Sequence, residues 1–131
     1  MPVPPALLRR FYVEGSLRNR RDGFELRLSN RLAPGTLLGI GPLTVDGRLY
    51  TGDDLLLQTR KSLRPAANVS PEHPFDWPLK MELTLVGIGP HLTAGPHRIN
   101  IGLLLRETGQ VTLTIEDTLA TPDPTLPASR S

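Results

Sequence analysis

Apolar and polar residues alternate one by one along much of this chain, and this period of two constrains the fold more than any other feature. Successive side chains of an extended strand point to opposite faces of a sheet, so each alternating stretch has one apolar and one polar face. The pattern predicts antiparallel strands with one face on a core and the other toward solvent. Alternating stretches occur at residues 24–29, 81–85, 98–105 and 111–116.

Turn-forming residues separate these stretches at short intervals. Asp46-Gly47 stands between two short strand-like runs, which is a strong signal for a two-residue β-hairpin. A second hairpin is predicted at Arg20-Arg21-Asp22-Gly23, because glycine readily adopts a positive φ. The 14 Pro and 12 Gly residues would break any long helix. We predict eight strands, at about residues 9–19, 24–32, 37–45, 48–51, 55–62, 79–88, 97–106 and 110–119.

Many short strands with regular turns are typical of an all-β fold. We predict an antiparallel β-sandwich, Ig-like or jelly-roll-like, that forms a single domain over residues 1–120. Residues 121–131 contain three Pro and are predicted to be a Pro-rich C-terminal tail. A chain of 131 residues without cysteine must be stabilised by its core, since disulfides are excluded.

Composition and charge exclude several classes of function. No apolar run approaches the roughly 20 residues that span a bilayer, and the N-terminus lacks the pattern of a secretory signal. We therefore expect a cytoplasmic protein that does not associate with membranes. The net charge is only +2, and the chain has only six aromatic residues. Nucleic-acid binding is not expected for such a chain.

A long connection broken by prolines, at residues 64–78, carries the candidate functional residues. Long irregular loops in compact domains are often functional. Trp77 is either a core plug at the start of a strand or an anchor in an interface, where Trp is enriched. The binding or interface candidates are His73, Phe75, Asp76 and Trp77.

No motif of catalysis is recognisable. The chain has no Gly-x-Ser-x-Gly turn and no cysteine nucleophile. Residues 39–42 form Gly-Ile-Gly-Pro, which lacks the third glycine of a dinucleotide loop and predicts a strand irregularity. His73, His91 and His97 leave open a three-histidine metal site, although nothing in their spacing requires one. We expect no catalytic residue, no metal ligand and no cofactor.

Five strand and turn landmarks follow one another in a recognisable order, at residues 12–19, 22–28, 43–47, 53–55 and 92–99. In this order they resemble the small β-subunit of bacterial C-glycoside deglycosidases, over about residues 9–115. The resemblance implies a non-catalytic accessory subunit of a carbohydrate- or glycoside-processing enzyme. It further implies a TIM-barrel catalytic partner that holds the divalent metal, and a complex that cleaves a carbon–carbon bond. No catalytic residue of the family matches a position of this chain.

The residues by themselves leave two alternatives open. The chain could be a stand-alone β-sandwich module that binds a ligand or a protein of unknown identity through Trp77 and Phe75. It could also be a homo-oligomer that associates through exposed sheet edges. In either case we do not expect the chain to be an enzyme on its own.

Overall fold

Two antiparallel β-sheets pack against each other in the computed structural model, which describes residues 4–119. This confirms the predicted all-β sandwich. A helical turn, α1 (Pro5–Leu8), precedes the first strand, and short 3-10 turns occur at Arg9–Phe11, Gly52–Asp54 and Ala66–Asn68. The ten strands within residues 4–119 are β1 (Arg18–Arg20), β2 (Gly23–Ser29), β3 (Gly35–Val45), β4 (Arg48–Tyr50), β5 (Leu55–Gln58), β6 (Leu63–Pro65), β7 (Phe75–Trp77), β8 (Glu82–Ile88), β9 (Gly95–Leu105) and β10 (Gly109–Leu119).

The first sheet has the strand order β1-β2-β8-β5-β6, and the second has the order β10-β9-β3-β4. The short strand β7 also pairs with β3, at the end of β3 away from β4. Strand β9 occupies one side of β3, so β4 and β7 share the other side. Strands β6 and β7 are therefore outer strands of different sheets.

The alternation of apolar and polar residues in the sequence corresponds to an alternation of burial most clearly in the last strand. In β10, buried and exposed residues follow one another from Val111 to Glu116. The inward side chains of both sheets form one core, in which Phe24, Leu85 and Ile101 have no exposed surface. Fully burying one such side chain contributes roughly 1.5–3 kcal/mol, so these faces hold the two sheets together.

Both predicted hairpins are present. Val45 pairs with Arg48 around the Asp46-Gly47 turn, and Arg20 pairs with Gly23. The predicted irregularity at residues 39–42 is also confirmed, because the register between β3 and β9 shifts on both sides of residues 39–40. The predicted tail, at residues 121–131, lies outside the described residues.

The predicted strand at residues 9–19 is wrong over most of its length. The chain forms α1 and a 3-10 turn there, and strand structure begins at Arg18. Proline favours the first position of a helix, and Pro5 opens α1. Leu8 and Phe11, three residues apart, are both buried, which is the spacing of one helical face.

The connection at residues 64–78 is more regular than predicted. It crosses from the first sheet to the second and carries the end of β6, a 3-10 turn and all of β7. Strands of three residues are too short to show an alternating pattern. Their structure depends on pairing with β5 and β3, which sequence alone does not reveal.

Candidate functional site

A groove of about 710 Å³ opens where the outer strands β6 and β7 approach each other. Its walls are the turn after β5, the two outer strands and the segment that leads into β8. We call it the cationic groove. Its lining residues are Thr59, Arg60, Lys61, Ser62, Arg64, Phe75, Lys80, Met81 and Glu82.

The turn between β5 and β6 forms the first wall. The Thr59 backbone N–H donates to the Ser62 carbonyl at 2.8 Å. The Thr59 hydroxyl accepts hydrogen bonds from the backbone N–H groups of Lys61 (3.2 Å) and Ser62 (3.3 Å). These bonds fix a tight turn whose two central residues, Arg60 and Lys61, are exposed.

Arg64 reaches into the space between the sheets. It pairs with Leu57 of β5, and directly opposed residues of an antiparallel pair share a face. Because Leu57 is fully buried, Arg64 lies on the core-facing side of β6. Its guanidinium carbon is 5.8 Å from the centre of the Phe75 ring, within the range of a cation–π contact. Its Nε atom is buried and has no hydrogen-bond partner among residues 4–119.

Hydrogen bonds of Asn30 fix the backbone that forms the opposite wall of the groove. The side chain of Asn30, in a residue only 1% exposed, donates to the carbonyl groups of Ala33 and Trp77, both at 2.7 Å. The Trp77 indole in turn donates to the Met81 carbonyl at 2.9 Å. The Lys80 backbone N–H donates to the Asn30 carbonyl at 2.7 Å. These bonds place Lys80 and Met81 at the groove.

The groove carries an excess of positive charge. Four of its lining residues are cationic, and none of the four forms an ion pair within the described part of the chain. Glu82, the one acidic residue that lines the groove within residues 4–119, is 3.4 Å from the Arg27 guanidinium. A concave site lined by charge of one sign attracts ligands of the opposite sign.

The four predicted candidates occupy different places. Phe75 lines the groove, while Trp77 is fully buried behind it. Asp76 is exposed and lines a separate shallow cleft with Thr36 and other residues. His73 is exposed at a turn, where its backbone N–H donates to Ser70. The binding role of these four residues stays a prediction.

The four cations of the groove are not among the site residues predicted from the sequence. Arg60, Lys61 and Arg64 lie close together in the sequence around a turn, and this spacing was a usable signal. Lys80 carried no such signal, because it reaches the groove only through the fold of the Trp77–Met81 turn.

The histidines do not assemble into a metal site. The His91 ring is 2.7 Å from the Arg20 carbonyl, whereas His97 contacts Asp46 and Thr93. No group of three histidine or acidic side chains within residues 4–119 is arranged to hold a metal ion. The three-histidine hypothesis therefore has no support in this structure.

His97 and Asp46 form a structural pair. The Asp46 carboxylate is 2.5 Å from Nδ1 of His97, and Nε2 faces the Thr93 carbonyl at 2.7 Å. Burial lowers the pKa of His97, but the Thr93 and Asp46 bonds outweigh it and raise the pKa overall. Hydrogen bonds from the Arg98 backbone and from His97 lower the pKa of Asp46. Both ring nitrogens are engaged, so His97 has none free to act as a general base.

Tyr12 and Asp117 form a second structural pair. The Tyr12 hydroxyl donates to Oδ2 of Asp117 at 2.5 Å. The same carboxylate oxygen of Asp117 also accepts hydrogen bonds from the backbone N–H groups of Gly15 and Leu17. Burial and this carboxylate raise the pKa of Tyr12 well above its usual value. The pair joins the segment before β1 to the last strand of the other sheet.

A family model described as hydroxymethylglutaryl-CoA reductase, N-terminal domain, matches residues 7–120. The chain belongs to this family. The expected membership of the C-glycoside deglycosidase β-subunit family is therefore wrong. The strand and turn landmarks that suggested that family can recur in sandwiches of other families. The carbohydrate-related function and the TIM-barrel partner rested on that resemblance alone and lose their basis.

Beyond this family, the similarity of the chain to known proteins is remote. Among solved structures, the apo PmoF2 PCuAC domain matches with 17% sequence identity and a TM-score of 0.39. The match covers 86% of this chain and 95% of that one. No curated protein matches the chain. In residues 4–119, no helix has the length and apolar character needed to cross a membrane.

Proposed function

We propose that this member of the hydroxymethylglutaryl-CoA reductase N-terminal domain family is a β-sandwich binding module that holds an anionic ligand in the cationic groove. The observation that carries the proposal is the set of four groove cations without ion-pair partners in the described residues. Arg64 is the most informative of them, because its Nε donor is buried and has no hydrogen-bond partner among residues 4–119.

The groove favours a ligand with a phosphate or carboxylate group and an apolar portion. Guanidinium groups match both anions through paired hydrogen bonds, and charge-assisted bonds are the stronger ones. Phe75 and Met81 are half-buried and offer apolar surface beside the charges. The volume of about 710 Å³ falls within the range typical of small-molecule sites.

The parts of the groove contribute differently to binding. Arg60 and Lys61 stand on an exposed turn and attract the anion from solvent. Phe75 and the core-facing side of β6 hold the Arg64 guanidinium in one orientation, so less side-chain freedom is lost when it binds. Lys80 completes the opposite wall, where the Asn30 carbonyl fixes its backbone.

Coenzyme A is a suitable probe, because the family name refers to a coenzyme A ester and coenzyme A carries phosphate groups. The proposal concerns binding and does not assign the reductase reaction to this chain. Isothermal titration calorimetry with coenzyme A, and separately with inorganic pyrophosphate, measures the affinity. We expect binding that weakens as salt concentration rises.

Substitutions locate the site. Arg64→Met and Lys80→Met should each weaken coenzyme A binding by about tenfold or more, since each removes a charge-assisted contact. Arg21→Met is the matched control, because Arg21 is exposed on the β1–β2 turn and outside the groove. Circular dichroism confirms that each variant is folded. Absence of binding to both anions, or an equal loss in Arg21→Met, would disprove the proposal.

A further inference from the structure

A pocket of about 190 Å³ lies where α1 approaches the β2–β3 loop and the turn between β9 and β10. We call it the apolar pocket. The Phe11 ring stacks on Trp77 with the ring centres 4.9 Å apart, so two of its walls support each other. Since a cavity of about 150 Å³ lined by aliphatic and aromatic side chains holds benzene, this pocket has room for one six-membered ring. Its large apolar lining residues are Leu8, Phe11, Leu32, Trp77 and Leu105.

The apolar pocket is continuous with the shallow cleft that Asp76 lines. This cleft has a volume of about 390 Å³ and carries a second carboxylate, that of Glu107, so we call it the acidic cleft. No Lys, Arg or His between residues 4 and 119 lines the pocket or the cleft. Four residues line both spaces, which places the apolar and the acidic walls in one site. The shared residues are Pro34, Gly35, Trp77 and Glu107.

Gly35 keeps the passage between the two parts open. A Cβ atom at this position would lie 3.6 Å from Cδ2 of Leu105 and 3.5 Å from Oε1 of Glu107. The space beside Gly35 is therefore bordered by an apolar methyl group and by a carboxylate oxygen. A ligand that passes through this space contacts both.

Both carboxylates adjoin Thr36 at the start of β3. Asp76 pairs with Thr36 across β7 and β3, and the Thr36 backbone N–H donates to Oε1 of Glu107 at 2.9 Å. This hydrogen bond, together with the charge of Arg106, lowers the pKa of Glu107, so its carboxyl group is ionised at neutral pH. Neither Asp76 nor Glu107 forms an ion pair with a residue between 4 and 119. The cleft therefore attracts a cation.

Thr108 adds a polar atom to the lining of the apolar pocket. Its Oγ1 is buried and has no hydrogen-bond partner among residues 4–119. Buried polar groups in proteins are nearly always hydrogen-bonded, and a bound ligand can supply the missing partner.

The apolar pocket and the acidic cleft together distinguish between classes of ligand. A metal ion has no group that would fill the apolar pocket. A neutral aromatic compound leaves the carboxylates without a partner, and an anion is repelled by them. An ammonium group joined to an aromatic ring by a short alkyl linker satisfies both parts, because its N–H groups form charge-assisted hydrogen bonds with carboxylates.

We infer that this site binds an arylalkylamine, whose ring enters the apolar pocket and whose ammonium group pairs with Asp76 and Glu107. The inference goes beyond the proposed function and does not rest on it, because no residue that lines the apolar pocket or the acidic cleft lines the cationic groove. The chain then holds ligands of opposite charge at two separate sites.

Isothermal titration calorimetry with 2-phenylethylamine and two matched compounds tests this inference. 2-Phenylethanol replaces the ammonium group by a hydroxyl of similar size, and ethylamine lacks the ring. We expect 2-phenylethylamine to bind about tenfold tighter than either compound. Absence of saturable 2-phenylethylamine binding at millimolar concentration overturns the inference, and so does equal affinity for 2-phenylethylamine and either matched compound.

Substitutions of the carboxylates test the acidic part of the site. Asp76→Asn and Glu107→Gln should each weaken 2-phenylethylamine binding severalfold and leave the affinity for 2-phenylethanol unchanged. Glu72→Gln, an exposed acid on the same connection and outside the site, is the control. Unchanged amine affinity in both Asp76→Asn and Glu107→Gln contradicts the inference.

A substitution of the glycine tests the passage between the two parts. Gly35→Val should weaken the binding of 2-phenylethylamine and of 2-phenylethanol alike, by about tenfold, because its side chain fills the passage. Gly39→Val, in the same strand and outside the site, is the control, and circular dichroism confirms that both variants are folded. Coenzyme A binding should be the same in all of these variants, so failure of this inference leaves the proposed function intact. Loss of coenzyme A binding in Arg64→Met, with amine binding retained, separates the two sites in the other direction.

Discussion

Two buried polar side chains, Asn30 and His97, hold loops near opposite ends of β3. Asn30 satisfies its donors and acceptor within the protein, through Ala33, Trp77 and Leu32. Both ring nitrogens of His97 form hydrogen bonds, and both can donate at once only when the ring is protonated. A buried polar group left without a partner costs about 1–3 kcal/mol, which makes both residues sensitive positions.

The His97–Asp46 pair predicts a dependence of stability on pH. The pKa of His97 is raised in the folded state, so protonation of its ring stabilises the fold. This contribution is fully present below the pKa of the ring in the unfolded chain, about 6.5, and is lost as pH rises through the folded pKa. The lowered pKa of Asp46 gives stability that is present above its unfolded value, near 3.8, and is lost as pH falls through the folded pKa. The pair therefore contributes most between about pH 4 and pH 6.5.

Urea unfolding at about pH 5.5 and about pH 8.5 measures this effect. We expect the free energy of unfolding to be lower at the higher pH, and the difference to shrink in Asp46→Asn. Asp53→Asn, an exposed acid in a 3-10 turn, should leave the difference unchanged. An Asp46→Asn variant with the same pH dependence as the parent would show that the pair does not contribute.

Strand β8 depends on a close contact between a glycine and an aromatic ring. Gly87 pairs with Phe24 of β2, and the Phe24 ring covers the position that a side chain at 87 would occupy. A Cβ atom there would lie 2.4 Å from two ring carbons. The same ring packs edge-on against Tyr50 at 4.9 Å, so it has little room to move away.

Gly87→Ala is therefore expected to destabilise the protein by about 1–3 kcal/mol through overpacking. Gly39→Ala is the matched control in β3, where the nearest atom to a new Cβ is 3.5 Å away on Leu104. Chemical denaturation of both variants compares the effects. If the Gly39 variant lost as much stability as the Gly87 variant, the contact with Phe24 would not be the cause.

The long elements and the short ones differ in how far the sequence predicts them. Strands such as β9 and β10 have eleven residues each, and a period of two was visible in their sequences. In β10 this period corresponds to alternating burial, whereas β2 is buried at nearly every position. Strands β6 and β7 have three residues each, too few to show a period. The cationic groove lies between these two strands, so its position could not be predicted from the sequence. Phe75 was among the predicted site residues, whereas Arg64 and Lys80 were not.

The segment before β1 connects the two sheets and covers one side of the core. Leu8 and Phe11 are buried, and the Phe11 ring stacks on Trp77 with the ring centres 4.9 Å apart. The Tyr12 hydroxyl then reaches Asp117 of β10. The segment lies within the part of the chain that matches the family model, from residue 7 onward.

Phe11→Ala should destabilise the whole molecule by about 3–5 kcal/mol, because it removes a buried ring and leaves a cavity. It should also shift the fluorescence of Trp77, the single Trp of the chain, to longer wavelength as water reaches the indole. Leu7→Ala, at an exposed neighbouring position, should change stability by no more than about 0.5 kcal/mol. An unshifted Trp77 spectrum in folded Phe11→Ala would show that the segment does not shield the indole.

The composition of the cationic groove has a consequence for covalent modification. The chain contains only two lysines, Lys61 and Lys80, and both line this groove. Acylation of lysine side chains in this protein would therefore fall entirely on the groove and neutralise two of its four cations. The two arginines would remain charged, so acetylation would weaken the groove for anions without abolishing its positive charge.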